Sequence, residues 1–396
     1  LSGSFWKGFI AGILIFVLIF AGFSFYLTGG EISLLLDFTQ TLFLIKTQAL
    51  AEVENAHLFE GAIGGLVSSL GDKYSEYLPA KEFALLNDSL EGSYSGVGLV
   101  MEIDEESGRV LVVSTIKGGS AFKAGILNGD YILAVDGKDV SGMALEEIAE
   151  KIKGEAGTTV VLTIIREGWD NPKDFVIERN FVEIPSTEYS LLQAQNEAMS
   201  VGYLRVNTFT RQTAEELKTA LRDLLSKDVS GFVLDLRHNP GGELFAAVEV
   251  ASSFLPAESV VVYTVGRGEK EALKATGDRP IDLPLVVLVD GGTASAAEIV
   301  AAALKENGRA VLIGENTFGK GLVQTIFPTI GGSGVKITTH KYLTPQDNDI
   351  NNRGIEPDLT VTLDKETAFE VLSQGPDPAK DPQLARALEF LLKEAA

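Results

Sequence analysis

Hydrophobic positions along the chain fall into four successive patterns. Residues 8–27 carry no charge and almost no polar side chain. About 20 apolar residues suffice to cross a bilayer as a helix that satisfies its own backbone hydrogen bonds. Lys7 precedes this stretch and the next basic residue is Lys46, so the positive-inside rule places the N-terminus in the cytoplasm. The pattern predicts an uncleaved single-pass anchor at 8–28 in the cell membrane, with 1–7 as a cytoplasmic tail and the remainder extracytoplasmic. A cleaved signal peptide is the competing reading, but its apolar part is usually shorter and a small-x-small cleavage site should follow.

Residues 29–91 read mostly helical. Helical spacing runs over 52–70, and Gly71-Asp72 reads as its stop. Such a region either shields the core or forms a homodimer interface. Over 92–182 the character changes to β. Strands are predicted at 97–103 and 109–116 around the turn Glu106-Ser107-Gly108, then at 130–135, closing on Asp136-Gly137, and at 159–166. A short helix ends near Gly125, and 145–153 has helical periodicity.

From 183 onward strand and helix alternate. A strand at 201–206 leads to an amphipathic helix at 214–225. Two buried strands, 232–236 and 285–289, each run through a Gly-rich turn into a helix, the first starting at Glu243 and the second reaching about Glu306. Further strands are predicted at 311–314, 322–327 and 335–342. Repeated strand–turn–helix units point to an α/β core with a parallel component over 183–372. Residues 373–396 read as a linker and a last helix.

Composition narrows the function classes. The net charge of −22 excludes nucleic acid as a partner, because binding it needs basic surface. The chain has no cysteine, which removes disulfides, thiol nucleophiles and cysteine-based zinc sites. Its three histidines, His57, His238 and His340, form no H-E-x-x-H. No metal or cofactor is implied.

Three segments carry candidate chemistry. Asp290-Gly291-Gly292-Thr293-Ala294-Ser295-Ala296-Ala297-Glu298 joins a buried strand to an alanine-rich helix. A serine at such a helix N-terminus, among small residues, suits an attacking alkoxide, because free N–H groups and the dipole favour negative charge. It also reads as a plain N-cap. In Thr317-Phe318-Gly319-Lys320-Gly321-Leu322-Val323-Gln324 a lysine flanked by glycines precedes an apolar strand, which suggests a cleft rather than open solvent. In Leu236-Arg237-His238-Asn239-Pro240-Gly241-Gly242 consecutive backbone N–H groups could form an oxyanion hole.

Together these segments resemble the C-terminal processing, or tail-specific, proteases. The resemblance extends to residues 64–75 and to Arg353-Gly354-Ile355-Glu356-Pro357-Asp358, and covers nearly the whole chain after the apolar stretch. It implies an α/β protease core of strand–helix units like those of ClpP and crotonase. It further implies an inserted β-rich PDZ domain at 92–182, an N-terminal helical region and one transmembrane helix. By the same resemblance Ser295 is the nucleophile, Lys320 the base 25 positions later, and Gln324 its support. The N–H groups of Ala296 and Gly241, with Gly242 as substitute, would hold the oxyanion. Gly96, Val97, Gly98 and Leu99 match a PDZ carboxylate-binding loop, so proteins or peptides with free C-termini are the expected substrates. The chain departs from the family at Glu306, typically aspartate and read here as structural, and at Ala297, often serine.

Alternatives are a catalytically inactive tail-binding adaptor and a hydratase-like acyl-CoA enzyme on the same core. A Ser–His–Asp triad through His238 or His340 is the rival mechanism, although neither histidine has an obvious partner in the sequence.

Overall fold

The computed structural model describes residues 31–394 apart from 105–106, 117–118, 184, 194–198, 278–279, 365–366, 369–370 and 372–374. Before residue 31 it describes only Gly22, Phe25, Tyr26 and Gly29. The chain divides into two units, Leu1–Leu70 and Gly71–Ala396.

The first unit contains helices α1 (Ile32–Gln48) and α2 (Asn55–Ser68). Here the expected anchor is corrected: among the described residues no helix is long and apolar enough to cross a membrane. Helix α1 has 17 residues and carries Asp37, Gln40 and Lys46. At about 1.5 Å per residue it falls short of a hydrocarbon core of about 30 Å. Most of the 8–28 stretch lies outside the described residues, so the single-pass anchor and the extracytoplasmic placement derived from it find no support.

The second unit opens with strand β1 (Glu76–Leu78), helix α3 (Ala80–Glu91) and strand β2 (Ser93–Gly96). There follow β3 (Leu99–Ile103), β4 (Val110–Thr115), α4 (Ser120–Ala124), β5 (Tyr131–Val135), β6 (Lys138–Asp139), α5 (Leu145–Ile152), β7 (Thr159–Ile165) and β8 (Lys173–Glu178). These strands form one sheet in the order β3-β4-β5-β7-β8, with β6 paired to β5. Its core is built by period-two burial: Val160, Leu162 and Ile164 of β7 are buried against Val112, Ile132 and Ile148. Strand β9 (Asn180–Glu183) then pairs antiparallel with β2, Ser95 opposite Phe181, so the chain leaves this module beside the point where it entered.

The remaining elements are β10 (Thr187–Gln193), β11 (Ser200–Val206), α6 (Thr213–Leu225), β12 (Gly231–Asp235), α7 (Leu244–Ser252), β13 (Val260–Val265), β14 (Lys270–Lys274), β15 (Leu285–Val289), α8 (Ala296–Glu306), β16 (Val311–Gly314), β17 (Leu322–Pro328), β18 (Gly334–Leu343), β19 (Leu359–Thr360) and α9 (Pro382–Glu394). The main sheet runs β10-β11-β12-β15-β16-β19, with β10 antiparallel and the others parallel. Every residue of β12 and β15 is buried, as expected of parallel strands covered on both faces. Helices α6, α7 and α8 share the core on one face. On the other, Leu384, Leu388 and Leu391 of α9 pack against Val233, Val286 and Leu288. A second sheet holds β1, β18, β13 and β14, with β17 paired to β18.

Neighbouring parallel strands end at the same sheet edge, which is where α/β folds place their ligands. Strands β12 and β15 therefore deliver the loops 236–242 and 290–294 side by side. Beneath the first loop Arg237, 4% exposed, donates to Asp235 Oδ2 at 2.5 Å, Asp381 Oδ2 at 2.8 Å and Gln383 Oε1 at 2.9 Å. Tyr203 Oη adds a bond to Asp235 at 2.7 Å. Burial alone would raise the Asp235 pKa, but the charge and hydrogen bonds of Arg237 hold it below the usual carboxylate range. A carboxyl depressed in the fold stabilises above its unfolded pKa of about 3.9 and loses that contribution as pH falls through the lower folded value. Arg237→Met strands two buried carboxylates and should cost about 3–5 kcal/mol in urea unfolding at neutral pH. The difference from wild type should shrink below about pH 4.

Candidate active site

Strand β15 is followed by Asp290, whose Oδ1 accepts the backbone N–H groups of Gly292 at 2.9 Å and Thr293 at 3.0 Å. Thr293, fully buried, donates its hydroxyl to Leu236 O at 2.8 Å, and Ala294 N–H donates to Asn239 O at 2.9 Å. The two loops are thus stitched together. The turn delivers Ser295 at φ 55° and ψ −118°, at the head of α8. A non-glycine residue held there stores about 1–3 kcal/mol, a strain that clusters at functional sites.

The Pro240-Gly241-Gly242 loop lies directly against this turn. A Cβ on Gly241, whose φ is 97°, would sit 2.8 Å from both Ala294 O and Ser295 Cβ and 2.9 Å from Ala296 N. Gly241 N–H is already taken up by Asn239 Oδ1 at 2.9 Å. Among the described residues the N–H groups of Ala296 and Gly242 have no acceptor.

Lys320 arrives on the loop before β17. Gly319, at φ 88°, makes the loop possible: a Cβ there would lie 2.8 Å from Gly354 N. The Arg353-Gly354-Ile355 segment cradles the same loop, with Ile355 N–H donating to Thr317 Oγ1 at 2.7 Å and Asn352 N–H to Gly319 O at 2.8 Å. The Lys320 amine is half-buried, 5.0 Å from the centre of the Tyr74 ring, and among the described residues it forms no salt bridge. Burial first, and the charge of Lys336 second, lower its pKa from the ordinary lysine value, against an opposing pull from Glu298.

Two residues that the sequence reading did not single out for the site join the serine turn to the lysine loop. Glu298, fully buried in the first turn of α8, accepts Ser295 N–H and Lys320 N–H on Oε2, both at 2.9 Å. On Oε1 it accepts Gly319 N–H at 2.8 Å and the Thr317 hydroxyl at 2.5 Å. Because one oxygen binds both, the backbone nitrogens of Ser295 and Lys320 lie within roughly 6 Å, twice a hydrogen-bond length. Tyr342 Oη, from β18, donates toward Ser295 O at 3.0 Å and also contacts Lys320 O. The signal for Glu298 was the S-x-x-E spacing of a capping box, Ser295 to Glu298.

Gln324 sits where the β17–β18 register shifts, and its amide donates to Thr338 Oγ1 at 3.2 Å. Among the described residues it makes no hydrogen bond to Lys320. His238, at φ 55°, has the carboxylate partner that the sequence did not reveal: its N–H donates to Asp290 Oδ1 at 2.9 Å and its Nδ1 pairs with Asp290 Oδ2. His340 Nδ1 meets Thr339 Oγ1 at 2.8 Å on β18. Glu306 is far down α8, where its Oε2 accepts Gln346 N–H at 2.7 Å and its Oε1 the Asn348 amide at 3.0 Å, bracing the turn after β18.

Away from this site, at the passage from β2 to β3, Gly96, Val97 and Gly98 are buried and Leu99, the first residue of β3, is half-buried. The carbonyls of Val97 and Gly98 accept Ala121 N–H at 2.8 Å and Ile116 N–H at 3.0 Å. Strand β3, which follows, is an outer strand of its sheet.

Three family profiles match the chain: Peptidase family S41 over residues 200–361, a PDZ domain over 111–166, and the Activating protease CtpB N-terminal domain over 30–82. The carboxyl-terminal-processing protease of Synechocystis sp. is 39% identical over 331 residues, covering 83% of this chain and 76% of that protein. The carboxy-terminal processing protease CtpB of Bacillus subtilis is 36% identical over 340 residues, covering 86% of this chain and 69% of its own. A solved S41 protease of Bacteroides fragilis, 17% identical, covers 87% of this chain and 93% of its own at a TM-score of 0.54, and shares the fold. With a PDZ domain beside an S41 core and relatives of this similarity over most of its length, the chain belongs to the C-terminal processing proteases, a family of serine-type peptidases.

Proposed function

We propose that the chain is an endopeptidase that hydrolyses peptide bonds through a Ser295–Lys320 dyad and selects substrates by their free C-terminal tails. The observation that carries the dyad is the convergence of both backbones on Glu298 Oε2. In the reaction, the neutral Lys320 amine takes the Ser295 hydroxyl proton as Oγ attacks the substrate carbonyl carbon. The ammonium then returns that proton to the leaving amine, and the C–N bond breaks to give an acyl-enzyme ester. Water, deprotonated by the same amine, attacks the ester carbonyl carbon; the C–Oγ bond then breaks, the ammonium returns its proton to Ser295 Oγ, and the acid leaves. Ala296 N–H and Gly242 N–H suit the oxyanion because neither has another acceptor among the described residues, whereas Gly241 N–H would first have to leave Asn239. Gln324 enters as a support for the amine only through a change of partner from Thr338.

Tail selection is supported by the outer position of β3, which leaves a sheet edge to which a peptide can add as a strand. The carboxylate would meet backbone N–H groups in residues 96–99. The test is a matched pair of peptides, one a free acid and one C-terminally amidated, each offered to wild type and Ser295→Ala. Loss of a charge-assisted hydrogen-bond set should lower kcat/KM for the amide about 10- to 100-fold. Equal rates on the two peptides would remove tail recognition, and cleavage by Ser295→Ala would remove the nucleophile.

The His238–Asp290 pair favours one second reading, a triad in which His238 is the base. The His238 side chain is 54% exposed, so we expect His238→Ala to keep at least about a tenth of wild-type kcat. A loss as deep as that of Ser295→Ala would instead establish the triad. No observation favours the non-catalytic adaptor.

A further inference from the structure

Each catalytic residue of the proposed dyad is gripped by its backbone on two sides. One carboxylate oxygen, Glu298 Oε2, binds the N–H groups of both Ser295 and Lys320. One phenol, Tyr342, places its Oη against the carbonyl oxygens of the same two residues and donates its single proton to one of them at a time. We infer that Glu298 and Tyr342 form a two-sided backbone clamp that sets the separation of Ser295 and Lys320. This rests on the Ser295–Lys320 reading and adds two positioning residues to it.

The chemistry of the clamp explains its composition. Glu298 is fully buried, and among the described residues no cation forms a salt bridge to it. An isolated buried carboxylate is costly. Four donors, three backbone N–H groups and the Thr317 hydroxyl, offset that cost at both oxygens. A glutamine in its place has only one acceptor oxygen, and its NH2 would face donors rather than acceptors. Tyr342 is 2% exposed, and its own N–H donates to Gly321 O at 3.1 Å, so the ring is fixed to the lysine loop from both ends.

The charge has a second consequence. The groups that act on the Lys320 amine are Glu298 from α8, Lys336 from β18, and the Tyr74 ring from the turn before β1. Burial and Lys336 favour the neutral amine, and Glu298 opposes them. The carboxylate that holds the loop thus also limits how far the amine is neutralised. Removing the charge should make Lys320 a base at lower pH even as it loses its place.

The experiment compares kcat, KM and their pH dependence on a free-acid peptide for wild type, Lys320→Ala, Glu298→Gln, Glu298→Asp and Tyr342→Phe, with thermal unfolding of each. Tyr342→Phe should lower kcat about 10-fold at unchanged KM, with the acid limb of the profile in place. Glu298→Gln should lower kcat about 100-fold and move the acid limb to lower pH. Glu298→Asp keeps the charge, so its limb should stay, but its shorter side chain should leave kcat low. Folded Tyr342→Phe and Glu298→Gln with wild-type kcat would overturn the clamp, as would a Glu298→Gln whose only change is a lower Tm with the limb unmoved. If Glu298→Gln does not fold, Tyr342→Phe decides alone, since it removes one oxygen and keeps the ring. Activity retained by Lys320→Ala would instead strike the dyad itself, so the two failures are distinct.

Discussion

Replacing Lys320 with alanine is expected to lower kcat by a factor on the order of 10³ or more, with KM near its wild-type value. The amine is the proton acceptor for Ser295 in the proposed reaction, and no other side chain holds that place on the lysine loop. Lys320→Arg separates basicity from charge. A guanidinium keeps the positive charge but is not deprotonated in proteins, so it should be as inactive as alanine. In the wild type the sign of the pH dependence follows from the same group. Activity falls as pH drops and the amine takes a proton, and burial together with Lys336 carries that transition below the ordinary lysine range. Wild-type turnover in Lys320→Ala, measured on a peptide that Ser295→Ala leaves intact, would end the dyad.

The second large effect is expected at Gly241. Gly241→Ala places a methyl 2.8 Å from Ser295 Cβ and 2.9 Å from Ala296 N, at a φ of 97° that L residues rarely adopt. Neither neighbour can retreat. Ala296 is locked in the buried first turn of α8, and Ala294 is bonded to Asn239. The nucleophile turn must therefore shift, and misplacing an attacking oxygen and an oxyanion donor together should cost about 10²–10³ in kcat. Labelling of Ser295 by a fluorophosphonate should slow in parallel. Wild-type labelling and turnover in a folded Gly241→Ala would show that the loop contact carries no catalytic weight.

Much of this was legible from residue order alone. Buried runs such as Leu285–Val289 announce parallel strands and the glycines after them announce turns, but locally Ser295 read also as an N-cap, and its role and that of Gly241 came from the family resemblance. The glycines around Lys320 and the strand after it suggested only a cleft; its role as base came from the same resemblance. Strands β10 and β14 were not legible, because Thr187–Gln193 and Lys270–Lys274 are mostly polar and owe their pairing to neighbours distant in sequence. Glu298 was given no role. Its bonds to Thr317, Gly319 and Lys320 depend on a loop about 20 residues later, which no local pattern encodes. Asp290 escaped as the partner of His238 for the same reason, since 52 residues separate them in sequence and two adjacent strand ends unite them. The apolar stretch at 8–28 shows the opposite limit: composition met the length rule for a membrane helix, and the described helices did not supply one.

The ion network under Arg237 has one more consequence. Helix α9 is fastened through Asp381 and Gln383 to Arg237, just ahead of the Pro240-Gly241-Gly242 turn. Its apolar side chains are folded into the sheet. The loop's position is therefore tied to the docking of a helix about 140 residues away in sequence, and loosening α9 should slacken the Pro240-Gly241-Gly242 loop.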